Sequence, residues 1–268
     1  MGKVTLLIDG DVEAFKAASV SQESIDWGDE DESMDLDKEG ARDYLVSALS
    51  HYQKHLKAPE IIICLTHECN WRKELCPDYK ANRKDAARPL LLQYCREFLA
   101  SHYRVECWPR LEADDVMGIL SQSIRNSIIV SVDKDMKTIP CRLFNPGRSN
   151  EGVVTITPTD AFINHMYQTL TGDSTDGFKG CPGIGPKKAT KILREATPEL
   201  DSPGSVWDQT IDFENGKVNV WNAVVNSFVS SELTAEDALM QARLAYILRS
   251  PGEYNRKTSK LKLWRPPA

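Results

Sequence analysis

Through its first 150 residues the chain alternates short β-branched runs with amphipathic stretches, an order that few architectures accommodate. Val4–Asp9, Ile61–Leu65, Val105–Trp108, Ile128–Asp133 and Arg142–Asn145 read as strands. Between them, Gly40–Leu56, Leu90–His102 and Ala113–Arg125 read as helices. Such alternation predicts an α/β fold, a mostly parallel central sheet flanked by helices. In sheets of this kind ligands gather at the carboxyl ends of the strands, where Asp9 and Asp133 fall. After about residue 150 the strand signals fade. Thr159–Leu170, Pro186–Ala196, Val218–Ser230 and Ala235–Arg249 read as helices, with loops at Gly177–Gly185 and Thr197–Gly216. The expected organisation is a core over residues 1–150 and a helical C-terminal region over 151–268.

No run approaches the roughly 18 apolar residues of a membrane span, and a strand pattern begins at Val4, leaving no room for a signal peptide. A cytoplasmic protein follows. The seven cysteines include no Cys-x-x-Cys pair and no grouped histidines, which argues against disulfides and a zinc finger and for packed thiols.

The formal net charge is −6, yet the charges are segregated. Glu23–Glu39 is strongly acidic and reads as an exposed loop. Arg72–Arg104 carries eight Lys or Arg against four acids, and Lys179–Arg194 carries five against none. After Glu253 the tail adds Arg256, Lys257, Lys260, Lys262 and Arg265 unopposed. This distribution suits a nucleic-acid track beside an acidic site.

The acids form four separate loci: Asp9; Glu112, Asp114 and Asp115; Asp133 and Asp135; Asp173 and Asp176. Taken singly, Asp133/Asp135 and Asp173/Asp176 are as well read as turns. The Glu112 triplet is harder to dismiss, because close like charges repel unless a helix N-terminus or cations neutralise them. Hard divalent cations take oxygen ligands, and phosphodiester hydrolysis by two ions about 4 Å apart needs more carboxylates than one locus offers. Four loci meeting at one sheet edge would supply them.

Asn70-Trp71-Arg72-Lys73 and Tyr79-Lys80-Ala81-Asn82-Arg83-Lys84 interleave cations with aromatics. That pattern suits a phosphate backbone and an unstacked base, or equally a solvated helix face. In Gly180-Cys181-Pro182-Gly183-Ile184-Gly185-Pro186-Lys187-Lys188, Gly183 and Gly185 permit a tight turn and Pro186 opens a helix. The helix start, with Lys187, Lys188 and Lys191, would grip duplex backbone without reading sequence, as a helix-hairpin-helix does. No Gly-Lys-Ser/Thr nucleotide loop is present.

Taken in order, these motifs resemble the flap endonuclease/5′-3′ exonuclease superfamily, with its PIN-like core, and are most similar to the exonucleases of short-tailed lytic phages. The residues carrying the resemblance are Leu7–Asp11, Asn70–Leu75, Tyr79–Lys84, Leu111–Gly118, Ser131–Pro140, Gly172–Gly177, the glycine loop and Leu263–Pro266. The resemblance implies metal ligation by Asp9, Glu112, Asp114, Asp115, Asp133, Asp135, Asp173 and Asp176. It also implies a helical arch over about 70–104, with Lys80 and Arg83 at its base on the scissile phosphate. Tyr79 would stack the terminal base, and Arg72, Lys73, Lys84, Gly183, Gly185, Lys187 and Lys188 would contact DNA, the last four through a helix-hairpin-helix at about 172–196.

The expected cofactors are two or more Mg²⁺ ions, with Mn²⁺ as a substitute and a monovalent cation at the glycine loop. The expected partners are duplex or 5′-flapped DNA, RNA–DNA hybrids as in primer removal, and replication proteins. The expected state is a monomer in the bacterial host's cytoplasm. One position departs from the family: His67 stands where an aspartate is usual. It is read as a non-ligand, although an imidazole ligand favouring Mn²⁺, or replacement by Glu68, stays open. The rival functions are a PIN-type ribonuclease and a catalytically weakened DNA-binding relative.

Overall fold

The computed structural model describes residues 2–26, 32–83, 87–197 and 213–268. Six strands form one sheet in the order β5-β4-β1-β6-β7-β8. They are β1 (Thr5–Asp9), β4 (Glu60–Cys64), β5 (Val105–Glu106), β6 (Ser127–Val130), β7 (Cys141–Phe144) and β8 (Val153–Ile156). All neighbours pair in parallel except the edge strand β8, which runs antiparallel to β7. Both faces of the sheet are covered, so the central strands β1, β4 and β6 carry mainly apolar residues that alternate between two cores. Leu7, Ile62 and Ile129 face one core; Leu6, Ile8, Ile63 and Val130 face the other.

The second core is closed by α1 (Gly10–Val20), α2 (Lys38–Leu56) and α4 (Leu92–His102). The first is closed by α5 (Ala113–Ser123) and by the chain from Tyr246 to Tyr254. Gly118 makes that packing close, since a Cβ there would stand 2.1 Å from the Leu248 carbonyl oxygen. The C-terminal helices α6 (Pro158–Thr171), α7 (Pro186–Ala196), α8 (Phe213–Val229) and α9 (Ala235–Ala245) share a third apolar cluster around Met166, Leu193, Val224 and Ala242.

The five expected strands are present, although β5 and β6 end two and three residues early. Three elements depart from expectation. Helix α1 has no apolar stripe to announce it, because its buried face is Gly10, Glu13, Ala14, Ala17 and Ala18. Strand β8 alternates too weakly to stand out. The acidic segment Glu23–Glu39 is not a loop: β2 (Gln22–Asp26) and β3 (Glu32–Leu36) pair antiparallel, and α2 begins at Lys38. Such a ribbon is held by backbone hydrogen bonds, which composition does not display. Its residues 27–31 lie outside the described residues, as do Lys84 and most of the expected loop Thr197–Gly216. No helix among the described residues is long and apolar enough to cross a membrane.

Candidate active site

Asp9 ends β1, is buried, and caps α1 by accepting from the Val12 N–H at 3.1 Å. Its other oxygen accepts from the Ser131 hydroxyl at 2.8 Å, which ties β1 to the end of β6. Asp133 follows β6 and caps a single 3₁₀ turn, Lys134–Thr138, through the Asp135 N–H at 2.8 Å. Glu112 and Asp114 flank the start of α5, where Ala113 N–H donates to the Thr66 hydroxyl at 3.0 Å. Asp173 and Asp176 lie on the loop after α6, where Asp173 accepts from the Thr175 and Asp176 N–H groups.

These segments meet. Glu112, Asp114, Asp135 and Asp176 line one small cleft with Gln168 and Phe178. Burial raises Asp9 to about 6 despite its hydrogen bonds to Val12 and Ser131, and the charge of Asp133 adds to the rise. Burial, Asp133 and Asp9 raise Asp114 well above the carboxylate range. Burial, Asp133 and Asp176 raise Asp135 to about 7. Glu112 goes the opposite way. Burial opposes its charge, but Lys80 and Arg72 outweigh that and hold it at about 2.

The neighbouring cations sit on the acids. Lys80 Nζ is 2.5 Å from Glu112 and 3.4 Å from Asp176; Arg83 is 2.5 Å from Asp176, and Lys134 is 2.7 Å from Asp173. Among the described residues no three His, Cys, Asp or Glu side chains already surround one point as a coordination cage. The donor set nonetheless suits hard cations: buried and half-buried carboxylates from four loci, with no thiolate or imidazole among them.

A family model, "5'-3' exonuclease, N-terminal resolvase-like domain", matches residues 4–150. The exonuclease of Escherichia phage T7 is 31% identical over 293 aligned positions, covering 98% of this chain and 94% of its own length. The chain belongs to the 5′-3′ exonuclease family. An exodeoxyribonuclease of Enterobacteria phage T3 is also 31% identical, over 98% of this chain and 93% of its own. A flap endonuclease, Xni, of Shewanella halifaxensis is 34% identical over 47% of this chain and 55% of its own. Among solved structures, the phage T5 D15 protein co-crystallised with metal ions shares the fold at a TM-score of 0.61 and 16% identity, covering 92% of this chain and 90% of that one.

Three residues of this exonuclease stand elsewhere than the resemblance implied. Asp115 is fully buried, with both oxygens filled by Arg72, the Trp71 indole N–H (3.0 Å) and the Leu248 N–H (3.0 Å). It is an anchor with no lone pair turned to the cleft. Arg72 is likewise buried, and besides Asp115 and Glu112 it donates to the carbonyls of Leu244 and Tyr246, so no phosphate reaches it. Tyr79 is 2% exposed, its ring packed with Phe178, Leu244 and Ala245 and its hydroxyl on Glu112 (3.1 Å) and Asp176 (3.0 Å). A base cannot stack on that ring.

Lys73 is exposed, and Lys80 and Arg83 lie on turns and a single 3₁₀ turn (Ala81–Arg83) after the five-residue helix α3 (Trp71–Leu75). Within the expected arch span of about 70–104 the described residues hold α3, this turn and α4, and α4 packs into the second core through Cys95, Phe98 and Leu99. His67 Nδ1 accepts from the Cys69 N–H at 3.1 Å. Gly183 has φ +71°, Gly185 is the N-cap of α7, and Lys187 and Lys188 are exposed; Lys188 Nζ donates to the Gly183 carbonyl at 2.9 Å. Sequence reasoning missed Ser131, Thr66 and Gln168, the last of which donates to Asp135 at 2.5 Å. Only the position of Ser131 at a strand end hinted at such a role.

Proposed function

We propose that this exonuclease hydrolyses phosphodiester bonds at the 5′ ends of duplex or 5′-flapped DNA, using divalent ions held by Asp9, Glu112, Asp114, Asp133, Asp135, Asp173 and Asp176. The observation that carries the reading is that acids from four distant segments meet in one place, where burial first and neighbouring carboxylates second drive Asp9, Asp114 and Asp135 up in pKa. Side chains that repel one another in the fold are stabilised by cations between them. Mg²⁺, or Mn²⁺ in its place, would supply an acidified water and offset charge on the leaving oxygen.

Within that site the chain's own groups divide the work. Lys80 and Arg83, within reach of Glu112 and Asp176, orient the scissile phosphate and balance its charge. Residues 1–150 form the nuclease core. Residues 151–268 anchor duplex backbone through Gly183, Gly185, Lys187 and Lys188 at the start of α7, while Lys73 adds an outer phosphate contact. His67, engaged through Nδ1, serves as no ligand. A monovalent cation at the glycine loop would compete with Lys188 for the Gly183 carbonyl. Hybrids qualify as substrates because backbone contacts leave the sugar of the cut strand unread.

Digestion of 5′-end-labelled duplex DNA, flapped DNA, an RNA–DNA hybrid and single-stranded RNA tests the reading. Cleavage of the first three in Mg²⁺ or Mn²⁺, and none in chelator, is the expected result. Binding without turnover in either metal, or cleavage confined to single-stranded RNA, would refute it.

A further inference from the structure

The acid cleft holds an amide side chain, that of Gln168, which the roles assigned above leave without a part. It lies on α6, lines the cleft with Glu112, Asp114 and Asp176, and donates its amide N–H to Asp135 Oδ1 at 2.5 Å. Among the described residues no other group donates to the Asp135 carboxylate.

The main chain of Asp135 is already fixed. Its N–H donates to Asp133 at 2.8 Å, its carbonyl accepts from the Thr138 hydroxyl at 2.8 Å, and its neighbour Met136 is fully buried. What stays free is rotation about the side-chain bonds, and the Gln168 amide restrains it.

The charge of the partner matters as much as the bond. Glu112, Asp173 and Asp176 are each held by a cation, Lys80, Lys134 and Arg83 in turn. Those contacts neutralise the acid they orient, and a divalent ion competes with them for it. An amide is neutral. It holds one oxygen of Asp135 in place and leaves the negative charge for an ion, as the outer partners of metal-binding carboxylates do.

Gln168 is in turn held by the C-terminal region. Its carbonyl accepts from the Gly172 N–H at 2.8 Å, and the Leu170 carbonyl accepts from the Cys181 N–H at 2.8 Å. Gly172 and Gly180, both at positive φ, lie backbone against backbone: a Cβ on Gly180 would stand 2.3 Å from the Gly172 nitrogen. The Gly180 N–H donates to the Gln241 side chain of α9 at 2.8 Å. The last turn of α6 is therefore locked to the start of the glycine loop, and the amide enters the cleft from a rigid support.

We propose that Gln168 is a positioning residue: its amide fixes the Asp135 carboxylate for a divalent ion, so that the C-terminal region sets the ion affinity of a ligand belonging to the core. This rests on the reading of the acid cluster as the metal site.

Gln168→Met keeps the length of the side chain and removes the donor, and Gln168→Ala repeats the test with a smaller one. Urea unfolding in chelator first establishes that each variant is folded. Binding of Mn²⁺ to the whole chain without DNA, followed by titration calorimetry, is expected to weaken about tenfold or more, the usual cost of removing such a partner. The Mg²⁺ concentration for half-maximal cleavage of duplex DNA should rise by a similar factor, with KM for DNA unchanged. In an Asp135→Asn background the same substitutions should cost no further Mn²⁺ affinity, because their effect passes through that carboxylate. Unchanged Mn²⁺ affinity in the folded variants, an equal loss with and without Asp135, or a raised KM for DNA at an unchanged ion requirement overturns the proposal. Wild-type protein that binds no Mn²⁺, or Asp135→Asn protein that binds it as tightly as wild type, would instead overturn the underlying reading, and this inference with it.

Discussion

The guanidinium of Arg72 reaches both carboxylate oxygens of Asp115 at 2.9 Å, in a place where the arginine is 2% exposed and the aspartate not at all. The same guanidinium holds Glu112 at 2.8 Å and the carbonyls of Leu244 and Tyr246. One side chain thus joins α3, the start of α5 and the C-terminal end of α9, and fixes one wall of the acid cleft. Removing one partner of such a pair strands a buried charge.

Asp115→Ala is therefore expected to destabilise the protein by about 3–5 kcal/mol, measured by urea unfolding in chelator. A loss below about 1 kcal/mol, with metal binding abolished, would return Asp115 to the ligand set.

Asp133→Ala should behave oppositely. It removes one of several mutually repelling carboxylates, so stability in chelator should hold or rise while cleavage is abolished and DNA affinity is kept. Full cleavage by this variant would sink the proposed site.

Tyr79 discriminates between positioning and stacking. Tyr79→Phe keeps the ring against Phe178 and Leu244 and removes only the hydroxyl shared by Glu112 and Asp176. Loss of a hydrogen bond to a charged group, about 1.5 kcal/mol, predicts roughly a tenfold fall in kcat with KM for DNA unchanged. A raised KM at constant kcat would favour stacking instead. Tyr79→Ala should add about 3–5 kcal/mol of destabilisation through the cavity it leaves.

The raised acids give stability a pH dependence with a definite sign. Asp9 and Asp135 titrate at about 6 and about 7 in the folded chain, above their unfolded values. Folded protein therefore holds more protons than unfolded protein between the two sets of values. Their contribution is fully present below the unfolded pKa, near 4, and is lost as pH rises through about 6 to 7. In chelator, Tm should fall between pH 5 and pH 8, a range of order one unit either side of those values. Saturating Mg²⁺ should flatten or reverse the fall, because cations substitute for the protons. A Tm that rises across this range in chelator would contradict the cluster. Glu112, held at about 2, adds a separate loss only in strong acid.

Local pattern was enough to read the sheet. The apolar runs of β1, β4 and β6 declare strands covered on both faces, and the alternation with helices declares parallel pairing. Helix α7 was readable to the residue, since Gly185 and Pro186 are start signals that act within one turn. Helix α1 was not, because its buried face is glycine and alanine rather than an apolar stripe.

The acidic character of the site and its four loci were determined by the sequence alone, because residue type and strand-end position are local properties. Which acids face the cleft was decided only by tertiary structure. Asp114 and Asp115 are adjacent in the chain, yet the helix turns one toward Asp9 and Asp133 and the other toward Arg72. Arg72 and Tyr79 look like surface contacts in a basic segment until Leu244 and Phe178 close over them. The partners lie far along the chain and on other elements, and no spacing rule spans that distance.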